Sequence, residues 1–182
     1  MLFRSHITES YELAMYFMAR HTSIDCQEKR NKKGYLFIIG DEVPYKKVNR
    51  YHVEKFIGDK LQADIPLASI VSELNDRYDV YGIMPRMTSH WDNKEVHKVW
   101  TQLLGQRYLK LEDPAGICEL IASVIGVAEG KLDLEDVATD LCEAGTTPEI
   151  ARVVGNALGA CVGAGKAAHE ATTAGATGII HL

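Results

Sequence analysis

Five consecutive apolar residues, Tyr35-Leu36-Phe37-Ile38-Ile39, follow Gly34 and stop at Gly40-Asp41-Glu42-Val43-Pro44. A short run of aromatic and β-branched residues between turn signals is the pattern of a strand buried on both faces. Two more short strands are expected, Asp79 to Met84 ending at Pro85, and Arg107 to Leu111 ending at Glu112-Asp113-Pro114. Segments of helical spacing alternate with them. Tyr11 to His21 has Thr8 or Ser10 as a cap and Leu13, Phe17 and Met18 on one side. Tyr51 to Leu61 and Leu67 to Tyr78 follow, the second opened by Pro66. Lys94 to Leu104 carries Val96, Val99, Trp100 and Leu103 in helical step and stops at Gly105, and Ala115 to Ala128 completes the series. Strands alternating with helices imply right-handed crossovers and a parallel sheet covered on both faces, so the fold class is α/β.

Past about residue 130 the chain changes character. Residues 1–112 hold 17 Lys/Arg against 15 Asp/Glu, whereas residues 113–182 hold 3 against 10. The division expected is an α/β domain over 1–130 and a helical extension over 131–182. In the extension, Leu132 to Cys142 reads as an acidic helix capped by Asp133, and Pro148 to about Ala168 as a second helix. Gly155 to Gly178 contains 6 Gly and 8 Ala; glycine weakens a helix by about 1 kcal/mol per position, so the helix should fray into a mobile tail. The Gly155, Gly159 and Gly163 series permits close helix contact, with packing against the core or another helix the expectation. Ala160 to Ala167 has the outline of a phosphate-binding loop, but Ala160 and Ala167 replace its first glycine and its hydroxyl.

Composition excludes several classes. The chain has 182 residues, 46% hydrophobic and 25% charged, enough apolar material for a core. No apolar run approaches the roughly 18 residues of a spanning helix, and MLFRSHITES lacks the apolar segment of a secretory signal. A cytoplasmic protein that binds no membrane is expected. The net charge of -5 argues against a general nucleic-acid binder. The cluster Lys29, Arg30, Lys32 and Lys33 reads as a solvated loop. Cys26, Cys118, Cys142 and Cys161 contain no C-x-x-C, so reduced thiols are expected rather than a zinc ribbon or a disulfide framework.

In open parallel sheets ligands gather outside the carboxyl ends of the strands. Gly40-Asp41-Glu42, Pro85 to Trp91 and Glu112-Asp113-Pro114 should meet there. Asp41 and Glu42 after an apolar strand suit either a hard cation bound through oxygen or a turn and capping role. His90-Trp91-Asp92 offers a His–Asp pair for general base work, with His97 seven residues beyond His90. Ser89 beside it lacks a nucleophile elbow, and Trp91 fits a protein contact better.

The stretch Glu9 to Ala14, then Ala19-Arg20-His21-Thr22, then Lys33 through Glu42, resembles von Willebrand factor type A-like proteins of bacterial and phage type. Tyr78-Asp79-Val80-Tyr81 and Leu104-Gly105-Gln106-Arg107 through Pro114 extend the resemblance, which covers about residues 8–130. It implies a Rossmann-like three-layer sandwich with a partial parallel sheet of about three strands, followed here by the helical extension. It also implies a metal-ion-dependent adhesion site holding Mg²⁺, for which Asp41 matches the aspartate after the family's fourth strand and Thr8 stands near the family's threonine. The family's Asp-x-Ser-x-Ser loop occurs nowhere in the chain, which looks like the carboxyl-terminal half of the domain. Mg²⁺ would then bind only where a missing N-terminal half completes the site.

The function expected is a non-catalytic protein-interaction module with an incomplete adhesion site, Glu42, His90 and Trp91 lying on its partner-binding edge. In the family, the strand matching Tyr35–Ile39 has the first strand as its neighbour. Left open, this edge should pair with a separately encoded N-terminal half, with another protein partner, or with itself in a homodimer. The alternative is a small doubly wound enzyme binding an anionic ligand at the strand ends, with His90 or Asp92 as its chemical foothold.

Overall fold

The computed structural model describes residues 8–160. In chain order the elements are β1 (Thr8–Glu9), α1 (Tyr11–Arg20), α2 (Asp25–Arg30), β2 (Gly34–Ile39), β3 (Val43–Pro44), β4 (Lys47–Val48) and α3 (Arg50–Phe56). There follow β5 (Ile65–Pro66), α4 (Leu67–Arg77), β6 (Tyr78–Pro85), α5 (Lys94–Leu104), β7 (Tyr108–Leu111), α6 (Ile117–Ala128) and α7 (Val137–Glu143). A last helix, α8, runs over 148–160. The fold is α/β and Rossmann-like, with a three-stranded parallel sheet in the order β2–β6–β7 and helices packed around it. Two-stranded pairings join β1 to β3 in parallel and β4 to β5 antiparallel. Among the described residues no helix is long and apolar enough to cross a membrane.

The chain forms two compact units. The first contains the residues up to Gly82 together with Thr88–Gly105, and the second contains Ile83–Met87 with the residues from Gln106 onward. Strand β6 starts in the first and finishes in the second.

In the first unit α1 packs on α4. The contact buries Met15, Tyr16 and Ala19 on one helix and Leu67, Ile70, Val71 and Leu74 on the other. This corrects the face expected for α1: Phe17 is 45% exposed and stacks on His21 at a centroid distance of 5.3 Å. Apolar residues surround most of α1, so periodicity alone does not single out a stripe; burial against α4 does. The end of α1 is closed by Arg77, whose guanidinium donates to the carbonyls of Ala19 (2.9 Å) and Thr22 (2.7 Å) and to the Gln27 side chain (2.9 Å). A cation on terminal carbonyls satisfies acceptors the helix leaves over and complements its dipole.

The strand enclosed on both faces is β6, where Tyr78, Val80 and Gly82 through Pro85 are all buried. Strand β2 is half-exposed along its length, with Ile39 at 44%, because it has one neighbour in the sheet and lies at its edge. The expectation that Tyr35–Ile39 would be buried on both faces is thereby corrected. The helix expected to reach Leu61 stops at Phe56, where Ile57 and Gly58 both donate to the Val53 carbonyl and Gly58 adopts φ +99. Only glycine takes that conformation without strain. Of the cluster expected as a solvated loop, Lys29 and Arg30 end helix α2 instead; both are solvated, and Lys29 pairs with Asp25 at 2.7 Å.

In the second unit Leu109, Leu111, Met84, Leu120, Val124 and Val154 belong to the core. Helix α6 starts after a 3-10 turn at Pro114–Gly116 that Asp113 caps by accepting from Ala115 N at 2.9 Å. At its other end Lys131 and Leu132 donate to the Gly126 carbonyl, and Leu132 sits where a side chain on Gly126 would have to be. Leu132 is thus spent closing α6, so the acidic helix begins at Val137 rather than after Asp133. Of the glycine series, Gly155 faces Ala138 of α7, and Gly159 has open space around it. Gly163, the loop-like Ala160–Ala167 run beyond Ala160, and the expected mobile tail lie outside the described residues.

Candidate functional site

Two loops of the first unit meet beside β1 and α1. One leaves β2 at Gly40; the other runs from Thr88 through His90 and Trp91 to α5. The His90 backbone N–H donates to Asp41 Oδ2 at 3.2 Å, and His90 Nε2 lies 4.0 Å from Glu42 Oε1. The histidine therefore faces Glu42. Burial raises the Glu42 carboxyl above the usual range, and the neighbouring charges of Glu9 and Asp41 add to this while His90 opposes it.

The loop is held from beneath by aromatic side chains. Trp100 of α5 donates its indole N–H to the Glu42 carbonyl at 2.8 Å, and the Tyr11 ring meets Trp100 edge-on at 5.6 Å. Burial pushes the Tyr11 hydroxyl well above the ordinary phenol range, helped by its hydrogen bond to Glu9. A side chain on Gly40 would run into the Tyr11 hydroxyl, so glycine suits this position.

Thr8 is reached through β1, where it pairs with Val43. Asp41, Glu42 and His90 come together, while Thr8 lines a separate cavity described below. Trp91 is half-buried and its carbonyl partners His97 Nε2 at 2.6 Å. Among the described residues no three His, Cys, Asp or Glu side chains are grouped so as to hold a metal ion. Asp41 accepts the His90 backbone N–H with one oxygen. In the second unit, Arg86 pairs with Glu112, and its N–H donates to the Leu111 carbonyl at 2.8 Å. Glu112 thus has a cation of its own.

The cavity lies among α1, β3, β4, α3, α4 and α5 of the first unit and measures about 730 Å³. Thr8, Val43, Leu67, Val99 and Leu103 line it, with Lys46, His52 and Glu95 also contributing. Glu12 lines it as well and is 1% exposed. One of its oxygens accepts the Tyr45 N–H at 3.3 Å. Burial raises its carboxyl above the ordinary value of 4.5, opposed by its own backbone N–H, by that of Tyr45 and by the charge of His52. Glu12, Tyr11 and His52 carry no site expectation in the sequence, where Trp100 shows only as one apolar residue of a helix. Glu12 did leave a signal: it stands three, four and seven residues before Met15, Tyr16 and Ala19, a carboxylate in line with a buried stripe.

Compared with protein-family models, with curated proteins and with solved structures, the chain matches none.

Proposed function

We propose that this chain is a non-catalytic protein-interaction module similar to part of a type A-like domain. It receives a strand from a partner along the edge of β2, with Glu42, His90 and Trp91 at the end of that edge. The observation that carries the reading is β2 itself: an apolar strand at the edge of its sheet, half-exposed from Gly34 through Ile38, with Ile39 at 44%. Long apolar edges are templates for pairing, and natural proteins rarely leave them open. A hollow of about 200 Å³ between α1 and β2, bounded by Met15, Met18, Leu36 and Ile38, gives a partner's side chain a seat beside the strand. Mg²⁺ enters this reading where a partner, such as a separately encoded N-terminal half, adds oxygen ligands to Asp41. We place the module in the cytoplasm, a setting that suits the free thiols of Cys26, Cys118 and Cys142.

In the isolated chain the available partner strand is that of a second copy. Size-exclusion chromatography with light scattering should report a dimer that Ile39→Lys dissociates, because a charge on the exposed edge opposes pairing. Hydrogen exchange should show the β2 amides protected in the dimer and fast in the variant. A monomer at every concentration, with β2 amides exchanging freely, would sink the edge-pairing proposal.

A further inference from the structure

Among the described residues no Lys or Arg pairs with the buried carboxylate in the 730 Å³ cavity; backbone N–H groups donate to it and the charge of His52 reaches it. The volume falls within the range that encloses a small organic molecule. Val43 and Leu67 are buried in its walls, and Val99 and Leu103 are half-buried. Its polar side chains differ in depth. Lys46, Lys47, His52 and Glu95 are exposed, whereas Glu12 is 1% exposed. Lys47 is committed to Asp64 at 2.6 Å, and the Asn49 side chain accepts from the N–H groups of Tyr51 and His52 to cap α3. Among the described residues the donors to Glu12 are backbone N–H groups, and no Lys or Arg is paired with it.

We propose that this cavity binds a small amine with an apolar body. The ammonium nitrogen sits on the Glu12 carboxylate, and the hydrocarbon lies against Val43, Leu67, Val99 and Leu103. The chemistry follows from what each part of the cavity lacks. A carboxylate taken out of water is stabilised by a cation that brings its own N–H donors, and charge-assisted hydrogen bonds are the stronger kind. The apolar walls lose water when a chain of methylenes or a ring covers them. An anion is disfavoured because the one deeply buried polar side chain is itself a carboxylate. A neutral alcohol gains the walls but adds no cation to the carboxylate. This is a ligand site distinct from the β2 edge, and it holds whether or not that edge pairs.

The test uses the full chain and three probes of matched length: n-hexylamine, 1-hexanol and hexanoate. Isothermal titration calorimetry should give binding of hexylamine at least about tenfold tighter than hexanol, with hexanoate weaker than both. Glu12→Gln, which keeps the shape, should remove the preference for the amine and leave hexanol binding in place. Leu103→Trp, which fills the cavity from α5, should abolish both while the far-ultraviolet circular dichroism is unchanged. If either variant fails to fold, amide chemical-shift mapping of hexylamine on the wild-type chain decides the matter, with shifts expected at Glu12, Val43 and Tyr45. Equal affinity for amine and alcohol, amine binding untouched in Glu12→Gln, shifts elsewhere on the molecule, or no binding of hexylamine would each overturn the proposal.

Discussion

Glu12 and Gly40 show how much a single position carries here. Glu12 is a carboxyl whose folded-state pKa is raised, so the folded chain holds its proton to higher pH than the unfolded chain does. Stability from this group is therefore lost as the pH rises from the ordinary carboxyl value through the folded one, and regained on acidification. Glu12→Gln removes that dependence. Comparing thermal melts at pH 4 and pH 8, the variant should gain on the wild type at the higher pH; an unchanged difference would mean that burial does not raise the carboxyl. Asp59 behaves in the opposite sense. The Tyr16 hydroxyl and His21 Nε2 both donate to its Oδ2 at 2.6 Å, the carboxyl is lowered, and its contribution is lost as the pH falls. At Gly40 the argument is steric. Gly40→Ala places a methyl on the Tyr11 hydroxyl and should destabilise by about 1–3 kcal/mol, and Tyr11→Phe in the same chain should restore part of it, since the nearest clashing atom is gone. Chemical denaturation of the two variants measures both effects.

Elements were legible where their ends are written in local chemistry. The span of α5 is legible from its apolar step and from Gly105 after it, and the structure adds Asn93 as its cap. The Asn93 side chain accepts from Glu95 N at 3.0 Å and Val96 N at 3.3 Å, and Gly105 takes φ +58. Asn93→Ala should therefore cost about 1 kcal/mol. Ser10 occupies the same position before α1 and makes no side-chain cap hydrogen bond, so Ser10→Ala should fall within about 0.5 kcal/mol of wild type. Urea melts of the pair compare a working cap with an idle one; equal losses would show that cap geometry is not what distinguishes them. The elements that were missed are short. Two-residue strands such as β1, β3, β4 and β5 have no periodicity to read, and they exist because a neighbour from far along the chain lies beside them. The same holds for the site. Asp41, Glu42 and His90 were expected at the strand ends and are found together, because a loop after a parallel strand has to emerge there. Trp100, which holds that loop by its carbonyl, was visible only as one apolar residue of a helix.

At the scale of the molecule, β6 is the common member of both compact units, with Tyr78–Gly82 in the first and Ile83–Pro85 in the second. Val80 and Ile83 are both buried, on either side of the division. Val80→Ala and Ile83→Ala should each destabilise the unit that holds them by about 1–4 kcal/mol, and chemical denaturation that leaves either variant at the wild-type midpoint would contradict the burial of that residue. Mg²⁺ belongs to this scale as well, because among the described residues no three His, Cys, Asp or Glu side chains are grouped to hold a metal ion. Addition of Mg²⁺ to the isolated chain should leave the melting temperature unchanged, and a stabilisation that Asp41→Asn removes would show the contrary. The sequence by itself determined the α/β class, the order of the principal strands and helices, and the acidic loop after the first apolar strand. Those properties are set by hydrophobic period, by turn residues and by caps, all of which act within a few residues. Tertiary structure alone decided that β6 and not β2 is the enclosed strand, which face of α1 is buried, and that Glu12 lies beside a cavity. Each depends on which distant segment arrives to exclude water, and burial of that kind is a property of pairs of segments, which no single stretch of sequence records.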